Sequence, residues 1–169
     1  MYLDQYVNQM ATNAETIQQL TVGVSSEQAH WKPDAGAWSI LEVINHLYDE
    51  EQYDFRVRLD YILHKPGVDP PSINPQGWVT EREYNRRELT SSVDNFLLER
   101  EHSLTWLRGL EAPDWQAAYE APWGKITAGD MFSAWVSHDL LHLRQLVELH
   151  YAWTTRQLEP YSVAYAGEW

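Results

Sequence analysis

Two histidines four residues apart are the feature of this sequence best suited to metal chemistry. They are His138 and His142, in the segment Ser-His-Asp-Leu-Leu-His-Leu. Residues four apart on an α-helix share a face and lie about 6 Å apart along its axis, so both imidazoles can reach one divalent cation. Apolar neighbours close to that face, Met131, Trp135 and Leu146, favour an inward-facing pair. A pair of hydrogen-bonded core histidines remains the alternative for so short a pattern.

His46 is the third candidate ligand, on a helical stripe with Val43, Glu50 and Tyr53. A lone histidine on a helix face is more often structural, and Glu50 one turn on could be its ion-pair partner. Three imidazoles converging inside a bundle, however, are costly to desolvate unless something satisfies them. A metal ion bound by the three histidines would offset that desolvation cost. Three histidine ligands with one open coordination position are the arrangement of catalytic zinc sites.

Composition limits what else the chain can use for chemistry. Its 169 residues contain no cysteine, which excludes disulfides, a thiolate zinc site and a thiol nucleophile of the chain's own. The net charge of −13 leads us to expect no nucleic-acid binding, because that needs a clustered basic surface. The chain has no run of eighteen apolar residues and begins with no basic, apolar leader, which predicts a cytoplasmic protein without membrane contact.

Four amphipathic segments must position these side chains. Apolar residues recur every three or four positions over residues 3–22, 39–63, 80–110 and 127–153. Three of the segments begin with a capping-box pattern, at Ser39 and Glu42, Thr80 and Glu83, and Thr127 and Asp130. We therefore predict an all-α four-helix bundle that forms a single domain over residues 1–169.

The segments between the helices lead to further expectations. Residues 65–79 hold four prolines and predict a loop, residues 111–125 an irregular stretch or short hairpin, and residues 154–169 an aromatic tail packed on the bundle. Loop tryptophans are expected to line the mouth of a site or the contact of a homodimer: Trp78, Trp115 and Trp123. Acidic clusters are interpreted as solvated helix faces: Asp49-Glu50-Glu51, Glu81-Arg-Glu83 and Glu99-Arg-Glu101.

Three motifs together resemble the DinB-like superfamily. They are Trp38-Ser-Ile-Leu-Glu-x-x-x-His46-Leu, His138-x-x-x-His142-x-x-Gln145-Leu and the closing Tyr-Ala-Gly-Glu-Trp169, so the resemblance covers nearly the whole chain. It implies an up-down-down-up bundle that holds a divalent metal, zinc or nickel, at the positions of His46, His138 and His142. It also implies relatives that are S-transferases using bacillithiol, mycothiol or glutathione, and a maleylpyruvate isomerase.

The function predicted from these residues is a metal-dependent enzyme acting on a small electrophile, either a low-molecular-weight-thiol S-transferase or a related hydrolase. Because the chain lacks cysteine, any reactive thiol would be a small-molecule cosubstrate. Candidate helpers are Glu50 as fourth ligand or general base, Tyr53 as proton donor, and Gln145 orienting a ligand, although each could be an ordinary bundle residue. A non-catalytic, metal-stabilised binding or stress-response module is the alternative function. A zincin-like peptidase built on His138-Asp139-x-x-His142 is disfavoured, because no further motif completes it.

Overall fold

Four long helical segments pack side by side and carry nearly all of the core. The computed structural model describes residues 2–122 and 124–167. Its helices are α1 (Leu3–Gln19), α2 (Ser26–His30), α3 (Ile40–Asp49), α4 (Phe55–His64), α5 (Pro75–Glu81), α6 (Leu89–Arg108) and α7 (Ala128–Gln157). A π-helical segment, Glu50–Asp54, joins α3 to α4, and short 3₁₀ turns cover Tyr84–Arg86 and Ala164–Ala166. Strands β1 (Ala118–Ala121) and β2 (Gly124–Thr127) form an antiparallel hairpin before α7. The predicted all-α bundle is confirmed.

The direction of each bundle helix follows from two apolar clusters at opposite ends of the core. One cluster joins the start of α1, all of α4, the end of α6 and the start of α7. The other joins the end of α1, all of α3, the start of α6 and the second half of α7. The first and last helices therefore run one way, and the two middle segments run the other way. This is the up-down-down-up order, and it requires residues 65–88 to cross the length of the bundle between α4 and α6.

The π-helical segment changes which side chains of the second bundle helix are buried. The amide of Phe55 bonds the carbonyl of Glu50, five residues back, which adds a residue to that turn. Asp49, Glu50, Glu51 and Asp54 are consequently all buried. The interpretation of Asp49-Glu50-Glu51 as a solvated face is wrong, because a π turn widens the arc of the helix that faces inward.

Two of the three predicted capping boxes form. Ser39 caps α3 with Glu42, and Thr127 caps α7 with Asp130, each with both reciprocal hydrogen bonds. The third prediction is wrong, because Thr80 lies inside α5 and Glu83 adopts a left-handed backbone with φ 49°. The third bundle helix begins only at Leu89, and α5 occupies the end of what was predicted to be loop.

The described aromatic residues outside the helices are distributed differently from the prediction. Tyr161 is 80% exposed and Tyr165 is fully exposed, so the prediction of a packed aromatic tail is wrong for both residues. Trp78 is buried with Val79 and Tyr84, and Trp115 packs against the core ring of Phe132. Neither Trp78 nor Trp115 lines a mouth.

Two of the predicted aromatic positions, Trp123 and Trp169, lie outside the described residues. Across the described part of the chain, no helix is both long and apolar enough to cross a membrane.

Candidate metal centre

Three imidazoles converge between α3 and α7. Nε2 of His138 lies 3.0 Å from Nε2 of His142 and 3.4 Å from Nε2 of His46. Ligand atoms of all three histidines fall within 4.8 Å of one another, close enough for one ion to bridge them. The structure thus brings together the three residues that the sequence predicted as metal ligands.

Helix geometry accounts for this convergence. The capping box at Ser39 fixes where α3 begins, and His46 lies two turns further on, buried in the apolar face of α3. His138 and His142 are one turn apart on α7, whose start is fixed by the capping box at Thr127. α3 and α7 pack against each other in one apolar cluster, so the triad joins two helices that are distant in the chain.

Gln145 sets the tautomer of His142. Its Oε1 lies 2.8 Å from Nδ1 of His142, so that nitrogen carries the proton and donates to the amide oxygen. Nε2 of His142 is then the unprotonated nitrogen, and it faces Nε2 of His138 at 3.0 Å, where it can accept a hydrogen bond or bind a cation. Metal-ligating histidines commonly donate their other ring N–H in this way, which makes Gln145 a supporting residue of the triad.

Burial keeps the triad uncharged. It lowers the pKa of His46 to about 3 and that of His138 to about 2, and repulsion from a charge on His142 adds to both shifts. Burial also lowers the pKa of His142, partly offset by its hydrogen bond to Gln145. Neutral imidazoles are the form that binds a metal, so no ring has to lose a positive charge when a cation enters.

Aromatic side chains wall the triad on two sides. The indole of Trp38 lies 4.9 Å from the His46 ring, between centroids, and is parallel to the ring of His142. The ring of Phe55 lies 4.9 Å from that of His138 on the other side. These apolar walls lower the local polarity and strengthen electrostatic interactions at the triad.

A pocket of about 1020 Å³ opens from the triad to the surface. Its lining includes all three histidines, Trp38, Glu50 and Gln145. Pro75 and Gln76, at the start of α5, close one side. The crossing segment is held in place by Arg82, which forms an ion pair of 2.7 Å with Asp49 and lies over the rings of Tyr53 and Trp78.

Glu50 is a buried acid at the base of this pocket. Burial raises the pKa of Glu50 to about 9, and the like charge and hydrogen bond of Asp54 contribute in the same direction. Its Oε1 lies 3.8 Å from Nδ1 of His46, which is beyond hydrogen-bonding distance. Both atoms are buried without a hydrogen-bond partner among the described residues.

Tyr53 is not brought to the triad. It is 42% exposed, and its ring packs against Trp78 and beneath Arg82 rather than lining the pocket. A regular helix would place it on the stripe of His46 and Glu50, but the π-helical turn shifts it to another face.

A buried ionic cluster next to the triad was missed by the sequence analysis. The guanidinium of Arg100 bonds both oxygens of Asp139, at 2.7 and 2.6 Å, and Oε1 of Glu51 at 2.7 Å. Asp139 is therefore unavailable as the base of a zincin-like site. The signal that could have found Arg100 is its place on the apolar stripe between Phe96 and Leu104. Glu99, beside it, is also buried and pairs with Arg56, so the solvated-face interpretation fails there too.

The residues of the triad fit a divalent cation. Three neutral nitrogens that face one another need a shared proton or a cation between them. Nδ1 of His46 is buried without a hydrogen-bond partner among the described residues, which is expected if its partner moves into place when an ion binds. A small shift of Glu50 would let Oε1 of its carboxyl group accept a hydrogen bond from Nδ1 of His46, completing a second supporting bond like that of Gln145. His46, His138 and His142 are accordingly the residues that could hold the ion.

Fold and site together define a four-helix bundle with a three-histidine candidate metal centre. Residues 9–146 match the family model of the DinB superfamily, so the chain belongs to that superfamily. The protein named "Putative metal-dependent hydrolase OB0782" from Oceanobacillus iheyensis is 23% identical over 150 residues, covering 87% of this chain and 85% of its own. YfiT from Bacillus subtilis, described as "a probable metal-dependent hydrolase with an unusual four-helix bundle topology", superposes with a TM-score of 0.79 at 16% identity, over 90% of this chain and 87% of its own.

Proposed function

We propose that this protein is a metal-dependent enzyme that hydrolyses a small electrophilic substrate. The observation that carries the proposal is the convergence of three histidine Nε2 atoms at the base of an open pocket of about 1020 Å³. Three ligands leave a coordination position for substrate, as in catalytic rather than structural sites. A divalent cation there would polarise a carbonyl or lower the pKa of a bound nucleophile.

The chain's own residues supply the remaining roles. Glu50 holds or accepts a proton at Oε1, which lies beside His46 and has no competing hydrogen-bond partner among the described residues. Gln145 orients His142, and Trp38 and Phe55 keep water from two sides of the triad. The names given to the two relatives support hydrolysis over other uses of the same site.

Thiol transfer is the second candidate reaction, and the size of the pocket favours it. A cavity of about 1020 Å³ lies at the upper end of the size range of ligand pockets, so it has room for a low-molecular-weight thiol together with an electrophile. A chain without cysteine would have to import that thiol. Zinc and nickel are the ions we propose for either reaction, since imidazole ligands suit both.

Metal analysis tests the site. Protein purified in metal-free buffer is reconstituted with Zn²⁺ or Ni²⁺, and its bound metal is measured for wild type, His138→Ala and His102→Ala. His102 is an exposed histidine outside the triad, so its variant is the matched control. We expect about one ion per chain in wild type and control and none in His138→Ala. Equal metal content in wild type and His138→Ala would refute the site.

Activity assays then separate the reactions. Loaded wild-type protein is offered ester and amide substrates, and separately glutathione, bacillithiol or mycothiol with a panel of electrophiles. Ester or amide cleavage that is lost in His138→Ala supports hydrolysis, whereas thiol consumption with the same dependence supports transfer. Stoichiometric metal without either activity would instead favour the binding or stress-response module.

A further inference from the structure

The triad is one half of a polar layer that crosses the whole bundle. Above and below this layer lie the two apolar clusters of the core. The other half is the buried ionic cluster, which we define as Glu51, Arg100 and Asp139. All three side chains are at most 2% exposed.

The ionic cluster connects all four bundle helices. Arg100 of α6 bonds Asp139 of α7, Glu51 of the π-helical segment, and the carbonyl of Met10 in α1. Asn13 of α1 donates a further hydrogen bond of 3.1 Å to Asp139. Because each contact is to a different helix, the cluster fixes the rotation of α7 at the residue next to His138.

A second path runs from the cluster to the triad through aromatic rings. Nε1 of Trp135 donates a hydrogen bond of 2.7 Å to Oε1 of Glu51. The ring of Trp135 stacks on Phe55 with an interplanar angle of 5°, and Phe55 in turn contacts the ring of His138. Glu51 is therefore coupled to the orientation of a proposed metal ligand by three successive contacts.

The charges of the cluster do not cancel. Two carboxylates face one guanidinium. Burial alone would lower the pKa of Arg100, but the attraction and hydrogen bonds of Glu51 and Asp139 outweigh it and raise that pKa, so the positive charge of Arg100 is permanent. Both oxygens of Asp139 accept N–H bonds, and Oε1 of Glu51 accepts two, as expected of carboxylates. Oε2 of Glu51 and Nε of Arg100 lack hydrogen-bond partners among the described residues, so part of the cost of burial remains. The cluster therefore holds one more carboxylate than guanidinium beside three neutral imidazoles. Its charges act unequally on them, because Asp139 attracts positive charge at His142 whereas Arg100 repels it at His138.

We propose that the Glu51–Arg100–Asp139 cluster is a positioning and electrostatic element that raises the affinity of the histidine triad for a divalent cation. An excess negative charge in a low-polarity interior attracts a cation at the triad and is itself compensated when the cation binds. This inference rests on the proposed metal site, and it assigns the cluster a role that a purely structural ion pair would lack.

The test compares the metal affinity of charge variants. Glu51→Gln removes the excess charge but keeps an oxygen to accept from Arg100 and Trp135. Glu101→Gln, one residue after Arg100 and exposed, makes the same chemical change on the solvent face and is the control. The dissociation constant for Zn²⁺ is measured by competition with a chromophoric chelator, alongside the melting transition of the metal-free protein.

We expect Glu51→Gln to weaken Zn²⁺ binding about tenfold or more, as other changes behind metal ligands do, with Glu101→Gln at the wild-type value. Arg100→Lys, which keeps the net charge, is expected to bind more tightly than Glu51→Gln. A folded Glu51→Gln variant with wild-type affinity overturns the proposal, and an Arg100→Lys variant weakened as much as Glu51→Gln overturns its electrostatic part. If Glu51→Gln does not fold, Asp139→Asn removes the same charge and carries the same expectations. Absence of Zn²⁺ binding by the wild-type protein would instead refute the proposed function.

Discussion

Oε1 of Gln145 lies 2.8 Å from Nδ1 of His142, and this one contact determines which nitrogen of His142 is free to bind a metal. Both residues lie on α7, three positions apart, so the contact forms as soon as the helix does. The contact between His138 and His142 also lies within α7, whereas the contact of His46 with His138 depends on packing between α3 and α7.

Replacing Gln145 should weaken metal binding without unfolding the protein. Gln145→Leu removes the acceptor, so His142 loses its preferred tautomer and orientation, and we expect the affinity for Zn²⁺ to fall about 10–100-fold. Chelator competition measures the change. Gln145→Glu keeps an acceptor oxygen and is the control, expected to stay closer to wild type than Gln145→Leu. Equal affinities of wild type and Gln145→Leu would contradict a supporting role.

The metal-free protein should lose stability as the pH falls below about 6.5, the ordinary histidine pKa. Folding lowers the pKa of His46 to about 3 and that of His138 to about 2. Between those values and pH 6.5 the unfolded chain binds protons that the folded chain does not, so unfolding is favoured by acid. The stability contributed by the neutral imidazoles is complete above pH 6.5 and is lost on acidification.

Urea denaturation of chelator-treated protein between pH 7 and pH 4 measures this loss. The double variant His46→Gln/His138→Gln cannot titrate at these positions, so its stability should fall less steeply over the same range. An acid dependence identical to that of wild type would show that other groups cause the loss.

Glu50 should produce the opposite dependence at alkaline pH. Folding raises its pKa from 4.5 to about 9, so between those values the folded chain holds a proton that the unfolded chain has released. Its contribution to stability is complete below pH 4.5 and is lost as the pH rises toward 9. Thermal melting of metal-free protein between pH 7 and pH 9 should show a decline in wild type and a flatter curve in Glu50→Gln. A decline of equal slope in both would place the cause elsewhere.

Local patterns predicted much of this fold, and non-local packing explains what they missed. The capping boxes of α3 and α7 and the spacing of His138 and His142 depend on neighbours within a few residues, and all are present. The π-helical turn adds one residue to a helix without changing its apolar periodicity, so the burial of Glu51 and the displacement of Tyr53 left no sequence signal. Arg100 was unrecognised because its partners lie 39 and 49 positions away in the chain.

Removing the two capping boxes one at a time should separate an effect on the free energy of unfolding from an effect on Zn²⁺ affinity. Ser39→Ala and Thr127→Ala should each lower the free energy of unfolding by about 1 kcal/mol, because each removes the acceptor for a helix N-terminal amide.

Ser39 also donates a hydrogen bond of 2.6 Å to Asn85 and directly follows Trp38, whose ring contacts His46. We therefore expect Ser39→Ala alone to weaken Zn²⁺ binding as well, while Thr127→Ala, at the N-cap of α7, about three turns before His138 and outside the pocket lining, leaves it unchanged. Chemical denaturation and chelator competition on the same preparations measure both effects. Unchanged Zn²⁺ affinity in a destabilised Ser39→Ala variant would show that the position of Trp38 does not influence the triad.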